Sequence, residues 1–138
     1  MNQTHNKANN NRLLIERRIR LRKWEWRLRR LFTRYARVST RQGIFELDLK
    51  DESISWKMFV QKQYELKWTN RVVKFLEEKG YYKVSQKGTV LDVGANNGVI
   101  SIGMLYLRQF YRAIAIEPEP HNFSLLQKNV KLINFKTG

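Results

Sequence analysis

The sequence predicts an α/β fold built on two short parallel strands that are joined by a helix. Two apolar runs, 89–93 and 113–117, are typical of strands buried in a parallel sheet. A glycine-containing turn and a helical segment from about Gly98 to Phe110 separate them. Apolar residues at helical spacing then predict a last helix. This order indicates a right-handed βαβ unit and the start of another crossover.

Charge divides the chain into a tail, an arm and a body. The protein has 138 residues and a net charge of +15, and this length favours one domain. Residues 1–11 are polar and asparagine-rich, which predicts a disordered tail. Residues 12–41 contain twelve bases and two acids, whereas residues 42–138 contain fourteen bases and ten acids. We therefore expect any electrostatic partner to bind the arm.

The basic arm, 12–41, is predicted to be a helix about 40 Å long, because neither glycine nor proline interrupts it. Arginines occupy most of its surface, and Trp26 is predicted to point among them, away from the apolar stripe. The residues of this stripe are Leu14, Leu21, Trp24, Leu28, Leu31, Tyr35 and Val38.

Three interpretations of the arm are open. In the first, the stripe docks on the body and the arginines face water. In the second, the arm binds an anionic membrane surface, for which arginine, Trp24 and Trp26 are suited. In the third, it contacts nucleic acid phosphates, although the long aromatic stripe favours a membrane over nucleic acid. The second and third define an alternative function, that of a non-catalytic basic binding protein.

The segment between the arm and the parallel strands predicts a strand and a helix. Residues 43–50 alternate apolar and charged side chains, which is typical of a half-buried strand, and residues 35–40 are candidates for its hairpin partner. A helix is predicted from Ser55 or Gln61 to Lys79. The predicted inward-facing residues are Phe45, Leu47 and Leu49 on the strand and Tyr64, Trp68, Val72, Phe75 and Leu76 on the helix.

The candidate site follows the two parallel strands, because ligands of open α/β sheets bind outside the carboxyl ends of the strands. The first strand leads into Asp92-Val93-Gly94-Ala95-Asn96-Asn97-Gly98 and the second ends at Glu117. Gly94 allows a sharp turn and a close ligand, and Gly98 allows close packing where the next helix begins. Glu117 is placed to accept hydrogen bonds from ribose hydroxyls. Asp92 lies in an apolar strand, where a cationic ligand group would be a partner.

The glycine pattern argues against two kinds of phosphate ligand. A dinucleotide fingerprint has glycine at its first, third and sixth positions, whereas this loop, counted from Gly94, has Asn96 and Val99 at the last two. A P-loop requires Gly-Lys-Ser/Thr, which the sequence lacks. The acid before the turn favours a ligand with an amino group. S-adenosylmethionine has that group together with a ribose diol and an adenine.

These segments resemble the FkbM family of methyltransferases. The resemblance is carried by the Asp-Val-Gly-Ala-Asn-Asn-Gly turn within 90–98, and by 115–123 with its acid-proline turn and the following 126–129. Segments 43–51 and 64–65 also resemble those that precede the fold in that family. The resemblance implies an incomplete class I, Rossmann-like methyltransferase fold, S-adenosylmethionine as cofactor and O-methylation of a small molecule or sugar. The cofactor contacts that it implies are Asp92, Gly94, Asn96, Gly98 and Glu117.

A class I sheet has more strands than the two that 42–138 supplies, so we expect the N-terminal part of such a domain. The catalytic residues are unknown, because the acceptor pocket belongs to the other strands, and we expect this chain alone to be inactive and marginally stable. The lack of cysteine suits a reducing cytoplasm, with the arm at the membrane periphery as a further expectation. We predict no metal site, and we interpret His121 as a cap of the last helix.

Overall fold

The computed structural model describes residues 2–133. They form an α/β arrangement of five α-helices and two two-stranded sheets, as the sequence predicts in outline. The elements in chain order are α1 (Asn2–Phe32), β1 (Tyr35–Thr40), β2 (Gly43–Asp48), α2 (Ile54–Gln61), α3 (Leu66–Glu78), a short 3-10 helix (Val84–Gln86), β3 (Thr89–Val93), α4 (Val99–Tyr106), β4 (Arg112–Ile116) and α5 (Pro120–Leu132).

The antiparallel pair β1–β2 is the centre of the core. The strands are in register from Tyr35 opposite Asp48 to Thr40 opposite Gly43, which confirms the predicted hairpin. The alternation read from the sequence is also confirmed, because Phe45, Leu47 and Leu49 are fully buried. Helices α2 and α5 both pack on β2. The inward side chains of the hairpin therefore face a closed core, whereas Ile44 on the other face is exposed.

The parallel pair β3–β4 confirms the predicted strand–helix–strand unit. Thr89 pairs with Arg112 and Val93 pairs with Ile116, and α4 packs on both strands. The opposite face of this sheet is open to solvent, with Leu91 61% exposed and Val93 72% exposed. The two sheets thus differ in coverage, since only one side of the parallel pair is buried among the described residues.

Helix α1 contacts the body through a different face from the one predicted. Trp26, predicted to point into the arginines, is 2% exposed and packs edge-on against Phe59 of α2 at 5.3 Å between ring centroids. Arg22 Nη1 donates a hydrogen bond to the backbone oxygen of Val60 at 3.0 Å. From Leu14 to Leu31 the apolar stripe lies outside, with Trp24 69% exposed. The helix predicted over 12–41 ends at Phe32, and the last two residues of the stripe, Tyr35 and Val38, lie in β1 instead. The predicted orientation of α1 was wrong, because packing of the Trp26 indole against α2 determines which face of α1 is buried.

The N-terminal segment also differs from its prediction. Residues 2–11, predicted as part of a disordered tail, are helical because α1 begins at Asn2. Asparagine costs a helix at most about 0.7 kcal/mol per residue relative to alanine. Extending an existing helix requires no new nucleus, because each added residue brings its own hydrogen bond. Without glycine or proline in this segment, no residue type blocks that extension.

The single helix predicted from Ser55 or Gln61 to Lys79 is two helices, α2 and α3. Lys62 and Glu65 have positive φ values of 61° and 48°, so the backbone turns between them. The predicted inner face of α3 is also wrong, because Trp68, Val72 and Phe75 are exposed and Val73 is buried instead. Across residues 2–133, no helix has the length and apolar character that a membrane span requires.

Candidate functional site

The two loops of the candidate site meet at the carboxyl edge of the parallel pair. Because β3 and β4 run in the same direction, the turn after Val93 lies beside the turn after Ile116. The backbone N–H groups of Gly94 and Ala95 both donate to the oxygen of Ile116, at 2.8 and 3.0 Å. The loop that carries three of the predicted residues is therefore held against the end of the second strand.

Glu117 fixes the geometry between these loops. Its Oε2 accepts a hydrogen bond from the backbone N–H of Asn96 at 2.7 Å, and its Oε1 accepts one from that of Glu119 at 2.9 Å. An ionised carboxylate offers about four acceptor positions. Glu117 therefore retains acceptor capacity on both oxygens while the backbone holds it in one orientation.

The two glycines of the loop have different physical roles. Gly94 has a φ of +79°, and no heavy atom of the described chain lies within 4 Å of the position that a Cβ would take. Gly98 has a φ of +83°, but a Cβ there would lie 2.4 Å from Leu126 Cδ1 and 2.8 Å from Ile102 Cδ1. Gly94 therefore leaves open space that a ligand can approach, whereas Gly98 allows α4 to pack against α5.

Asn96 is the third residue of the loop with a left-handed backbone, at a φ of 51°. Asparagine tolerates this conformation better than most residues, because its short side chain bonds locally. Its Oδ1 accepts a hydrogen bond from the N–H of Asn97 at 2.8 Å. The side chain of Asn96 therefore shapes the turn, and its backbone holds Glu117.

Asp92 has a protein partner, contrary to the expectation that a ligand would supply one. Its Oδ2 accepts a hydrogen bond from the backbone N–H of Ser101 at 3.2 Å. Ser101 lies in the first turn of α4, where N–H groups lack partners within the helix and favour negative charge. Gly98, which precedes the first residue of α4, has no side chain that could cap the helix. Asp92 stabilises the start of the helix, so its burial alone does not require a cationic ligand.

Two buried asparagines, Asn97 and Asn129, connect the loop to the core. Asn129 Nδ2 donates to the backbone oxygen of Asn97 at 2.9 Å, and its Oδ1 accepts from the N–H of Glu46 in β2 at 2.7 Å. The side-chain amide of Asn97 is buried without a hydrogen-bond partner among the described residues. Asn129 could have been identified from the sequence, because it is an amide residue three positions after Leu126 and therefore on the same buried face of α5.

A second polar cluster joins the hairpin to α5. Asp48 Oδ2 lies 2.8 Å from His121 Nε2 and accepts hydrogen bonds from Arg34 Nε and Nη2 at 3.1 and 3.0 Å. Burial raises the pKa of Asp48, but hydrogen bonds from the Lys50 N–H, Arg34 and His121 outweigh it and hold that pKa below its usual range. Sequence analysis did not find this cluster, because its members are far apart in the chain.

The helix cap assigned to His121 belongs to another residue. The carboxylate of Glu119 accepts hydrogen bonds from the N–H groups of Asn122 and His121, at 2.6 and 3.0 Å. These two hydrogen bonds lower the pKa of Glu119. Glu119 is therefore the N-cap of α5, and the His121 ring is left to contact Asp48.

Comparisons of the chain with family models, with curated proteins and with solved structures find no match. Within the described residues, no group of three or more histidine or acidic side chains is arranged to hold a metal ion. The residues and the geometry of the carboxyl edge are therefore the basis for inferring a function. At this edge the Gly94 N–H donates to the backbone oxygen of Ile116, and the Asn96 N–H donates to the carboxylate of Glu117. Asp92 accepts from the first turn of α4, which Gly98 precedes.

Proposed function

We propose that this chain is the S-adenosylmethionine-binding part of a class I, Rossmann-like methyltransferase of the FkbM type. One observation carries the proposal. The carboxylate of Glu117 is held by two backbone N–H groups at the carboxyl edge of a parallel pair, beside a glycine with open space over its Cα. An acid in that place is suited to the two hydroxyls of a ribose.

The residues of the edge fit the donor half of the cofactor. Glu117 accepts hydrogen bonds from the ribose hydroxyls through its remaining acceptor positions. Gly94 admits the ligand close to the backbone. Asp92 supplies its Oδ1, the oxygen not bonded to Ser101, to the amino group. Asn96 and Gly98 act indirectly by keeping the turn in its left-handed conformations.

When bound, S-adenosylmethionine supplies an electrophilic methyl group, and the reaction we propose is O-methylation of a small molecule or sugar. Such catalysis depends strongly on holding the two reacting groups in line. The contribution of the residues named above is to bind and orient the donor. We assign no catalytic residue, because in a class I fold the acceptor pocket is expected on strands other than β3 and β4.

The open face of the parallel sheet supports the finer fold assignment. Parallel sheets are normally covered on both faces, yet Leu91, Val93, Ile114 and Ile116 are exposed on one side of β3–β4. Exposed apolar side chains in four adjacent positions are expected for two strands of a doubly wound domain, in which further helices cover the second face of the sheet. We therefore assign β3 and β4 as the first two parallel strands of a class I fold.

Calorimetric titration of the 138-residue chain with S-adenosylmethionine tests the proposal. We expect binding, and we expect Glu117→Gln to raise the Kd about tenfold or more, because it removes charge-assisted hydrogen bonds. Glu78→Gln is the matched control, since Glu78 is an exposed acid paired only with Lys74 on α3. Circular dichroism checks that both variants fold like the parent.

An analogue that lacks one ribose hydroxyl separates direct contact from a structural effect. The parent chain is expected to bind the 2′-deoxyribose analogue more weakly than S-adenosylmethionine, and Glu117→Gln is expected to lose that preference. No binding by the parent chain would contradict the proposal. An equal preference in the parent and in Glu117→Gln would show that Glu117 does not contact the ribose.

A further inference from the structure

The outward side of α1 carries an apolar surface that one base, Arg17, interrupts. This surface, called here the outer face, extends over about 30 Å of the helix. All of its side chains are exposed, which follows from the seating of α1 on the body through Trp26. The residues of the outer face are Leu13, Leu14, Leu21, Trp24, Leu28, Leu31 and Phe32.

Helix geometry places the outer face opposite the body. At about 100° per residue, these seven side chains fall within an arc of about 100°, and the middle of that arc lies nearly opposite Trp26. Ile19, which packs against the core, is on the side of Trp26. The body therefore cannot cover the outer face without releasing Trp26 from Phe59, which rules out the docking interpretation of the stripe.

Arginines border the outer face on both sides. By the same geometry, Arg20 and Arg27 follow one edge, while Arg18 and Arg29 follow the other. The guanidinium of Arg27 lies 5.8 Å from the centre of the Trp24 ring. Long cationic side chains can extend beside apolar surface and place their charge at a polar boundary. The outer face thus combines an interfacial tryptophan, cationic edges and a centre that is apolar except for Arg17.

We propose that the outer face binds the surface of an anionic lipid bilayer, with α1 lying in the plane of the headgroups. Apolar side chains with a tryptophan enter the headgroup and acyl boundary, and bordering arginines contact anionic headgroups. This function is independent of S-adenosylmethionine binding. It places the body beside the membrane, because Trp26 and Arg22 hold the opposite side of α1 to α2.

Two other occupants fit the outer face less well. Nucleic acid would use the arginines through its phosphates, but it would not require the seven exposed apolar side chains. A second copy of α1 would match the seven-residue spacing of Leu14, Leu21 and Leu28. It would also bring together two helices that each carry nine bases and two acids between residues 12 and 32, and their like charges repel.

Co-sedimentation of the 138-residue chain with vesicles tests the proposal. We expect binding to vesicles of phosphatidylcholine with phosphatidylserine and little binding to phosphatidylcholine alone. The triple variant Leu21→Ser, Trp24→Ser, Leu28→Ser keeps every charge, and we expect it to bind anionic vesicles at least about tenfold more weakly. The matched control is Trp68→Ser, Val72→Ser, Phe75→Ser, which removes an exposed tryptophan and two exposed apolar residues from α3. It is expected to bind like the parent.

Four outcomes would overturn the proposal. The first is no binding of the parent chain to anionic vesicles. The second is equal loss of binding in both triple variants, which would indicate general stickiness of exposed apolar residues. The third is unchanged vesicle binding in the α1 variant together with tight binding of single-stranded RNA. The fourth is a dimer in analytical ultracentrifugation of the parent chain that the α1 variant abolishes.

Discussion

The hairpin β1–β2 and the parallel pair β3–β4 are sheets of equal strand number that differ in how their apolar residues are covered. On the hairpin, Phe45, Leu47 and Leu49 are fully buried beneath α2 and α5. On the parallel pair, Leu91 and Ile114 are exposed, and helix packing covers the other face alone. The closed hairpin region therefore supplies most of the hydrophobic stabilisation, whereas the candidate binding residues lie on the open, less supported sheet.

The difference also explains why polar bridges connect the two sheets. Asn129 joins the loop of the site to β2, and His121 joins the start of α5 to Asp48. Each bridge fixes part of the parallel region to the hairpin region, where Phe45, Leu47 and Leu49 are fully buried. The rigidity of the candidate site is thus expected to come from the hairpin region, although none of the predicted binding residues lies there.

Truncating one core residue of the hairpin is expected to have the largest effect. Phe45→Ala leaves a cavity and is expected to cost about 3–5 kcal/mol of unfolding free energy, which is enough to unfold a marginally stable chain. Ile114→Ala on the open face is the control and is expected to cost less than about 1 kcal/mol. Urea denaturation followed by circular dichroism measures both. Equal losses would contradict the division into a closed and an open sheet.

Within the site, Gly94 and Gly98 differ in how closely other side chains approach them, so alanine substitutions at the two positions should differ in their effect on stability. Gly98→Ala places a Cβ against Leu126 and Ile102 at a left-handed φ, so we expect a loss of about 2–4 kcal/mol from overpacking and backbone strain. Gly94→Ala meets open space and is expected to cost about 1–2 kcal/mol from the backbone alone. Thermal unfolding measures this difference.

Ligand titration separates the functions of the same two glycines. Gly94→Ala is expected to weaken S-adenosylmethionine binding more than its stability loss accounts for, since its methyl group occupies the space that the ligand needs. If Gly94→Ala folds and binds like the parent, the ligand does not approach the backbone there. Gly98→Ala serves as the control for indirect loss of binding through disturbed packing.

Short-range patterns predicted β2, β3 and β4 correctly, whereas they also assigned the residues of β1 to the helical arm. Alternation of apolar and charged residues identified the inward side chains of β2, because successive side chains of a strand point to opposite faces. A continuous apolar run identified β3 and β4, because such runs are typical of strands in a parallel sheet. The turn of the site was also predictable, since glycine and asparagine adopt the positive φ values seen at Gly94, Asn96 and Gly98. The backbone conformation of this turn therefore depends on the residues of the turn itself.

Long-range partners could not be read in this way. The buried face of α1 depends on Phe59, which offers a surface for Trp26 but lies on another helix. Helical spacing identified the apolar stripe of α1 from Leu14 to Leu31, but it wrongly extended the stripe to Tyr35 and Val38 of β1. It also does not determine which face of the helix the body covers. Asp92 was expected to need a ligand because its partner, the N–H of Ser101, becomes available only when α4 folds above it.

Removing the bridge at Asn129 is expected to have an intermediate effect. Asn129→Ala leaves the backbone oxygen of Asn97 and the N–H of Glu46 without this partner, and it is expected to cost about 1–3 kcal/mol. Gln127→Ala is the control, because Gln127 is exposed on the same helix. Hydrogen exchange at residues 94–98 measures the local effect. Unchanged protection there would show that the hairpin region does not support the site.

The smallest expected effect concerns the pH dependence of the bridge at Asp48. Because folding lowers the pKa of this carboxyl, its contribution is fully present above the pKa of an unfolded aspartate, about 3.9. The contribution is lost as the pH falls through the lower pKa of the folded state. Unfolding free energies measured between pH 6 and pH 3 should therefore fall more steeply for the parent than for Asp48→Asn.

The expected difference at pH 6 is about 1–2 kcal/mol, because Asp48 is buried and accepts charge-assisted hydrogen bonds from Arg34. Glu78→Gln controls for the removal of an exposed acid. His121→Gln keeps a hydrogen-bond donor near Asp48 and should retain more of the acid sensitivity than Asp48→Asn does. If the parent and Asp48→Asn lose stability in parallel between pH 6 and pH 3, ionised Asp48 does not stabilise the junction, and the connection between the two sheets rests on the amide of Asn129.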